Sequence, residues 1–221
     1  YEYALGTESG AADVVDWTLA ELNTSIIIDS TELAEERETY FGFVRATDLA
    51  GNTSDAFSGD GVAVDISPPQ TGSVIDGTND DLVFTSEDTT LTATWQGFSD
   101  AISGLQYYEY AIGVSPGSDD VLSWVNNGLD TTLSIGELEL DHATVYYQSV
   151  RAVDLVNNVS ATAASNGITT DHSPPEAGVI NDGAGADETW LITNDRLYLN
   201  WNGFQDTTSG IQYYEYAIGT V

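Results

Sequence analysis

A chain of 221 residues with 41% hydrophobic and 10% aromatic residues can fill a core, so acidity alone does not make it disordered. Four Arg, no Lys and 36 acidic residues leave a net charge of −32, which argues against nucleic acid as a partner and disfavours anionic membrane surfaces. With no Cys there is no disulfide or thiolate chemistry, and with no apolar run near the roughly 20 residues that span a bilayer, no membrane insertion is expected in this segment.

Taken from the N terminus, YEYALG (Tyr1 to Gly6) returns within Tyr107 to Gly113 as YYEYAIG and recurs unchanged at Tyr213 to Gly219. VRATDLAGNTS (Val44 to Ser54) pairs with VRAVDLVNNVS (Val150 to Ser160), and DISPPQTG (Asp65 to Gly72) with DHSPPEAG (Asp171 to Gly178). Trp17 falls opposite Trp124 with a slip of one residue. An offset of 106 residues is domain-sized, so the units stand in tandem rather than forming a short solenoid. The expected organisation is 1–65 as the C-terminal part of a preceding repeat, 66–170 as a complete repeat, and 171–221 as the N-terminal part of a following one. Asp-x-Ser-Pro-Pro stretches suit stiff extended linkers between them. The start at Tyr1 reads as a cut with no signal peptide before it. Two half-units could instead complement each other between chains, but such a joint would carry the YEYA strand twice, which favours a window on a longer array.

Within the complete unit, Val, Ile, Thr and Tyr-rich runs alternate with Gly, Asn, Asp and Pro turns, the pattern of an all-β sandwich. Strands are expected at 73–76, 82–86, 89–96, 106–113, 121–126, 131–139, 144–154 and 160–170. Alternation puts Leu91, Ala93 and Trp95 on one face, and Tyr108, Tyr110 and Ile112 on one face with Glu109 opposite. The expected core is Trp95, Tyr108, Tyr110 and Tyr146, with Tyr40 and Trp201 as repeat counterparts. The YEYA motif is therefore first a packing motif.

LELDHATVYYQSVRAV resembles the E–F corner and F strand of a fibronectin type III or immunoglobulin-like domain, with Leu140, Thr144 and Tyr146 at i, i+4 and i+6. The first unit keeps Tyr40 but has Glu38 where Thr144 aligns. Trp95 is similar to the strand-B tryptophan of the type III domain. The resemblance implies tandem β-sandwiches. VRATDLAGNTS, DISPPQTG and GFSDAISGLQYYEYAIG also resemble repeats of giant bacterial surface adhesins, including the SprB-like mobile adhesins of gliding bacteria. That likeness implies an extracellular, cell-surface stalk or filament displaying an adhesive tip, with neighbouring repeats of the same chain as partners.

In a sandwich of this topology the B–C and F–G loops share a pole with the incoming linker, which gathers Asp100, Asp154 and Asp65. The next unit repeats Asp171 and Asp206, and the previous one Asp48. Like charges brought together repel, and a hard cation reverses the sign; Ca²⁺ suits mixed carboxylate and carbonyl ligands. The competing reading is that these are solvated turn residues, and both stand at this point.

His142 and His172 stand in nonequivalent contexts, which excludes a repeated zinc site and suggests surface loops. Ser173 beside His172 lies in a linker with two prolines, no place for a nucleophile, and a small filled sandwich has no cleft for paired carboxylates. No enzyme is expected. Tyr107, Tyr147 and Trp124 suit packing, or stacking on sugar rings, so the alternatives are repeats that bind polysaccharide or other cells directly, or accessory domains of a secreted hydrolase. Three stretches fit the N-glycan sequon, at Asn23, Asn52 and Asn158. Asp-Ser-Thr and Asp-Thr-Thr triplets resemble an O-glycan acceptor pattern of gliding-type bacteria, which implies sugar on Ser30, Thr89, Thr131 or Thr207.

Overall fold

The computed structural model describes residues 1–8, 10–28, 39–190, 192 and 195–219, and no helix occurs among them. In chain order the strands are β1 (Glu2–Gly6), β2 (Val15–Leu19), β3 (Thr39–Arg45), β4 (Phe57–Ser58) and β5 (Val62–Ala63). They continue as β6 (Ser73–Asp76), β7 (Phe84–Thr85), β8 (Leu91–Gln96), β9 (Leu105–Gly113), β10 (Leu122–Asn126) and β11 (Thr132–Ile135). Last come β12 (Val145–Asp154), β13 (Ala163–Ala164), β14 (Ile168–Thr170), β15 (Val179–Asp182) and β16 (Leu199–Asn202). Three runs are markedly shorter than their letters suggest, and of 82–86 only Phe84–Thr85 forms a strand. The 131–139 run stops at Ile135, because Glu137 takes a positive φ of 61° and turns the chain. The 160–170 run breaks into β13 and β14 around Gly167, whose φ of 96° no strand sustains.

One compact unit gathers Tyr1–Thr71 with Phe98–Tyr107 and Ala152–Ala161. Its main sheet runs β2-β1-β3-β4, with β5 pairing β3. Tyr40 and Val44, four apart, share one face of β3, Tyr40 buried and Val44 exposed, while Phe43 is buried on the other face.

The other unit holds Gly72–Gly97, Tyr108–Arg151 and Thr162–Val221. Here a sheet ordered β11-β8-β6 faces one ordered β10-β9-β12-β14-β7; β14 and β7 run parallel, and the pairs β10–β9, β12–β14, β11–β8 and β6–β8 antiparallel. Leu91 from the first sheet meets Ile112, Tyr146 and Ile168 from the second in one buried cluster, closed by Leu138 and Leu140. Trp95 packs edge-on against Tyr108 with ring centroids 5.7 Å apart, and Trp95, Tyr108 and Tyr110 are all buried. A three-stranded sheet facing this larger one, which β13 joins beside β12 to make six strands, is a fibronectin type III/immunoglobulin-like sandwich.

The E–F corner is closed by a tyrosine. The Asp141 backbone N–H donates to the Tyr146 hydroxyl at 2.8 Å, while Leu140 is buried beside the ring and Thr144 is half-buried. Tyr146→Phe leaves that N–H without its acceptor, so a loss of about 1–2 kcal/mol in urea unfolding is expected. Glu38, the residue at Thr144's place in the first copy, lies outside the described residues.

The glycine that ends YEYAIG has a steric reason. A Cβ on Gly113 would collide with Ser118 Oγ and Asp120 Oδ1, and one on Gly6 with the Ala11 carbonyl. Each copy folds its following loop over that bare backbone: Asp120 accepts from the Val114 N–H at 3.2 Å, and Asp13 from the Thr7 N–H at 2.8 Å.

Trp201 departs from its expected place. It lies exposed on β16, its ring tilted against Tyr214 with centroids 5.7 Å apart, because the two-stranded sheet β15–β16 carries no opposing sheet among the described residues.

Candidate functional site

Three carboxylates converge within the first unit. Ligand-capable oxygens of Asp65, Asp100 and Asp154 all lie within 4.8 Å of one another. Asp65 comes from the stretch before Pro68, Asp100 from the loop after β8, and Asp154 from the end of β12.

Each is held by an Asx-type turn that its own letters specify. Asp100 Oδ1 accepts from the backbone N–H of Ile102 at 3.0 Å and of Gly104 at 2.8 Å. Asp154 Oδ1 accepts from Val156 N–H at 2.9 Å and Asn158 N–H at 2.8 Å, and its Oδ2 from the Asn158 amide at 2.8 Å. The turn needs a left-handed residue, supplied by Asn157 at φ 72°. Asp65 Oδ1 accepts from Ser67 N–H at 3.2 Å. Two contacts then tie the turns together: Ser103 N–H donates to Asp65 Oδ2 at 3.1 Å, and Leu155 N–H to the Gly104 carbonyl at 3.1 Å.

Burial of Asp65 raises its carboxyl pKa, but hydrogen-bond donors on Ser103 and Ser67 outweigh that and hold it below the ordinary carboxylate value. The group therefore stays charged. Among the described residues the arginines pair with Glu2, Glu109 and Asp195 and with none of these three acids. Three like charges at this separation cost about 1 kcal/mol per pair even at water-like screening.

The remaining acids repeat the same turns. Asp48 copies Asp154, accepting from Ala50 N–H at 2.9 Å and Asn52 N–H at 2.8 Å, and the Asn52 side chain is the chief reason its pKa is lowered. Asp206 copies Asp100 by accepting from Thr208 N–H at 3.1 Å and Gly210 N–H at 2.8 Å. Asp171 copies Asp65: it accepts from Ser173 N–H at 3.1 Å and Ser209 N–H at 3.2 Å. Ser209 leads the donors that lower Asp171 to about 2. The serine that links these turns, Ser103 or Ser209, escaped the sequence reading although it repeats at the same offset.

Two further constellations appear only in three dimensions. Arg151 lies 4.2 Å over the Trp124 ring and donates from Nε to Glu109 at 2.7 Å; Arg45 does the same over Trp17 at 4.1 Å, with Glu2 at 2.8 Å. One face of Trp124 is thus already occupied by a guanidinium, and Tyr107 and Tyr147 are half-buried beside these strands. His142 and His172 are exposed, with rings 5.9 Å apart; the His172 N–H donates to His142 Nδ1 at 3.1 Å, with Asp171 Oδ1 3.6 Å from that nitrogen. Thr89, Thr131 and Thr207 are exposed, and Ser30 lies outside the described residues.

No family model matches the chain, and no curated protein matches it. Among solved structures it is similar to domains A168–A170 of titin, at 18% identity and a TM-score of 0.39, covering 62% of this chain and 43% of that one. It is also similar to the FN1–FN3 domains of chicken CNTN1, at 15% identity and a TM-score of 0.41, covering 77% of this chain and 55% of that one. The chain spans about half the length of each. The assignment to the fibronectin type III/immunoglobulin-like fold rests on the strand order and the Tyr146 corner described above.

Proposed function

We propose that this chain is a stretch of a structural repeat array, an extracellular stalk or filament on a bacterial cell surface of the SprB-like adhesin kind, whose role is to hold an adhesive tip away from the cell. Residues 1–65, 66–170 and 171–221 are its successive modules, the first and last in part. The observation that carries this reading is the recurrence of whole hydrogen-bonded devices at a fixed offset, the Asp48/Asp154 and Asp65/Asp171 turns together with the two Trp–Arg–Glu stacks. Devices copied at every unit are architectural, whereas an active site needs building only once.

Ca²⁺ at the Asp65, Asp100 and Asp154 pole stiffens each joint in this proposal, with Asp171 and Asp206 beginning the next such site and Asp48 belonging to the one before. A ligand at extracellular Ca²⁺ affinity, roughly 0.1–1 mM, adds about 1–2 kcal/mol at a few mM by mass action. The test is a recombinant array of several units, imaged and melted in 5 mM Ca²⁺ and in chelator. The expected results are a beaded fibre that gains about 30–40 Å per unit, and a melting temperature that Ca²⁺ raises in the parent and leaves unmoved in Asp100→Asn. A compact particle would refute the stalk; an unchanged melt with an extended fibre would refute only the cation. Glycan-array binding by the same array would favour repeats that adhere themselves.

A further inference from the structure

We infer that Ser165 and Gln148 join covalently: the Ser165 hydroxyl displaces the side-chain amine of Gln148 as ammonia, leaving an ester that ties β12 to the segment after β13. The bond lies inside one sandwich and does not depend on the stalk reading.

The fold sets the two groups against each other. Gln148 points inward from β12, on the face it shares with Tyr146 and Val150, and is 0% exposed; Ser165, just past β13, is 4% exposed. The Ser165 N–H donates to the Gln148 carbonyl at 2.9 Å, and the Gln148 N–H to Ser165 Oγ at 3.1 Å, so the pair is held in register from both sides. Ser165 Oγ in turn donates to Gln148 Oε1 at 3.2 Å, which keeps the nucleophile beside the carboxamide without a bimolecular encounter. Gln148 Nε2, the group that leaves, is buried with no partner among the described residues. Buried donors are in large majority paired, because an unmet one is costly; ester formation removes this one.

A proton carrier stands next to them. Asp76 is fully buried, has the Ser165 hydroxyl as a donor, and keeps Oδ1 without a partner among the described residues. Burial raises its pKa to about 6, where a carboxyl both takes and returns a proton near neutral pH. As Oγ closes on the Gln148 carboxamide carbon, the hydroxyl proton passes to the Asp76 carboxylate; as the carbon–Nε2 bond breaks, the same proton goes to the departing amine. An O–H and a C–N bond are lost, a C–O and an N–H bond are gained, and nothing is oxidised or reduced. Exclusion of water from the sandwich protects the ester from hydrolysis.

The repeat supplies an independent observation. In the preceding copy the same backbone bond is kept, Gly59 N–H to the Gly42 carbonyl at 3.0 Å, but both side chains are missing together. The Asp turns and the Trp–Arg–Glu stacks pass from unit to unit, whereas this pair belongs to one.

Trypsin reads the bond directly. Arg151 lies between the two residues, so cleavage there and at Arg45 and Arg196 gives peptides 46–151 and 152–196, which the ester holds together. The folded 221-residue chain, kept until its mass is constant and then denatured and digested, should yield the two peptides joined. Its intact mass should lie about 17 Da, one ammonia, below that of the sequence. Hydroxylamine should part the peptides. In Ser165→Ala, shown to be folded by circular dichroism, they should come apart untreated and the mass should be full. Asp76→Asn should likewise stay unlinked, so stability comparisons at that residue belong in a Ser165→Ala background, where neither chain carries the bond. Separate peptides from the folded parent overturn the proposal, whether the mass is full or an ammonia is lost instead to a succinimide at Asn127 or Asn166, each of which precedes a glycine.

Discussion

Replacing Trp95 with alanine should cost about 3–5 kcal/mol, most of the stability of an ordinary domain. The ring is 2% exposed at the centre of β8, edge-on to Tyr108, with Ala93 and Leu91 stacked along the same inward face. Its removal leaves a void between two sheets whose backbones are fixed by ladders on either side of β8, so the walls have little freedom to collapse. Urea unfolding followed by circular dichroism should show the loss as a lower midpoint. Trp95→Phe should cost much less, because the indole N–H is buried with no partner among the described residues and no hydrogen bond is forfeited. Trp201→Ala, the same letter at the repeat-equivalent place, should change stability by less than about 0.5 kcal/mol in dilute monomer, since that ring is exposed. Equal losses at the two tryptophans would contradict the burial contrast on which the argument rests.

The second large effect belongs to Asp76 and depends on pH. Its side chain is fully buried at the end of β6; Oδ2 accepts from the Gly167 N–H at 3.0 Å, and Oδ1 has no partner among the described residues. Burial pushes its pKa up to about 6, with the charge of nearby Asp81 adding to the rise and a donor on Ser165 opposing it. Between the ordinary carboxylate value near 4 and this one, the folded chain holds a proton that the unfolded chain has lost. Stability is therefore highest below about pH 4 as far as Asp76 is concerned, and falls as pH rises towards 6. A shift of about two pH units corresponds to roughly 3 kcal/mol. Asp76→Asn keeps an acceptor for Gly167 and removes the charge, so it should stabilise the fold by about 1–3 kcal/mol at pH 7 and remove the decline between pH 4 and 6. The depressed carboxyls of Asp48, Asp65 and Asp171 act oppositely, contributing stability above pH 4 that is lost as pH falls towards 2. Melting temperature against pH should accordingly peak near pH 4–5 in the parent chain; a profile in Asp76→Asn that still declines from pH 4 to 6 would refute this account.

Much of the fold is legible in the letters because its determinants are local. Alternation in LTATW and YYEYAI sorts inward from outward residues within one strand, and an Asp placed before backbone N–H groups two and four residues on closes its own turn whatever surrounds it. The 106-residue offset then copies both devices along the chain, and the convergence of Asp65, Asp100 and Asp154 follows once strand order puts their turns at one pole.

What the tertiary structure alone decided is pairing between residues far apart in sequence and the presence or absence of a covering layer. Arg151 on β12 finds Trp124 on β10 across the intervening β9, and His142 finds His172 across a corner, with nothing in either local pattern to announce the match. Asp76 and Asp182 share the same Asp-Gly letters, yet the first is buried under the Gly167 loop and the second is exposed. Trp95 and Trp201 divide in the same way. Local sequence sets which way a side chain points, but its dielectric surroundings, and hence its energy and its charge, depend on whether a second sheet arrives to exclude water.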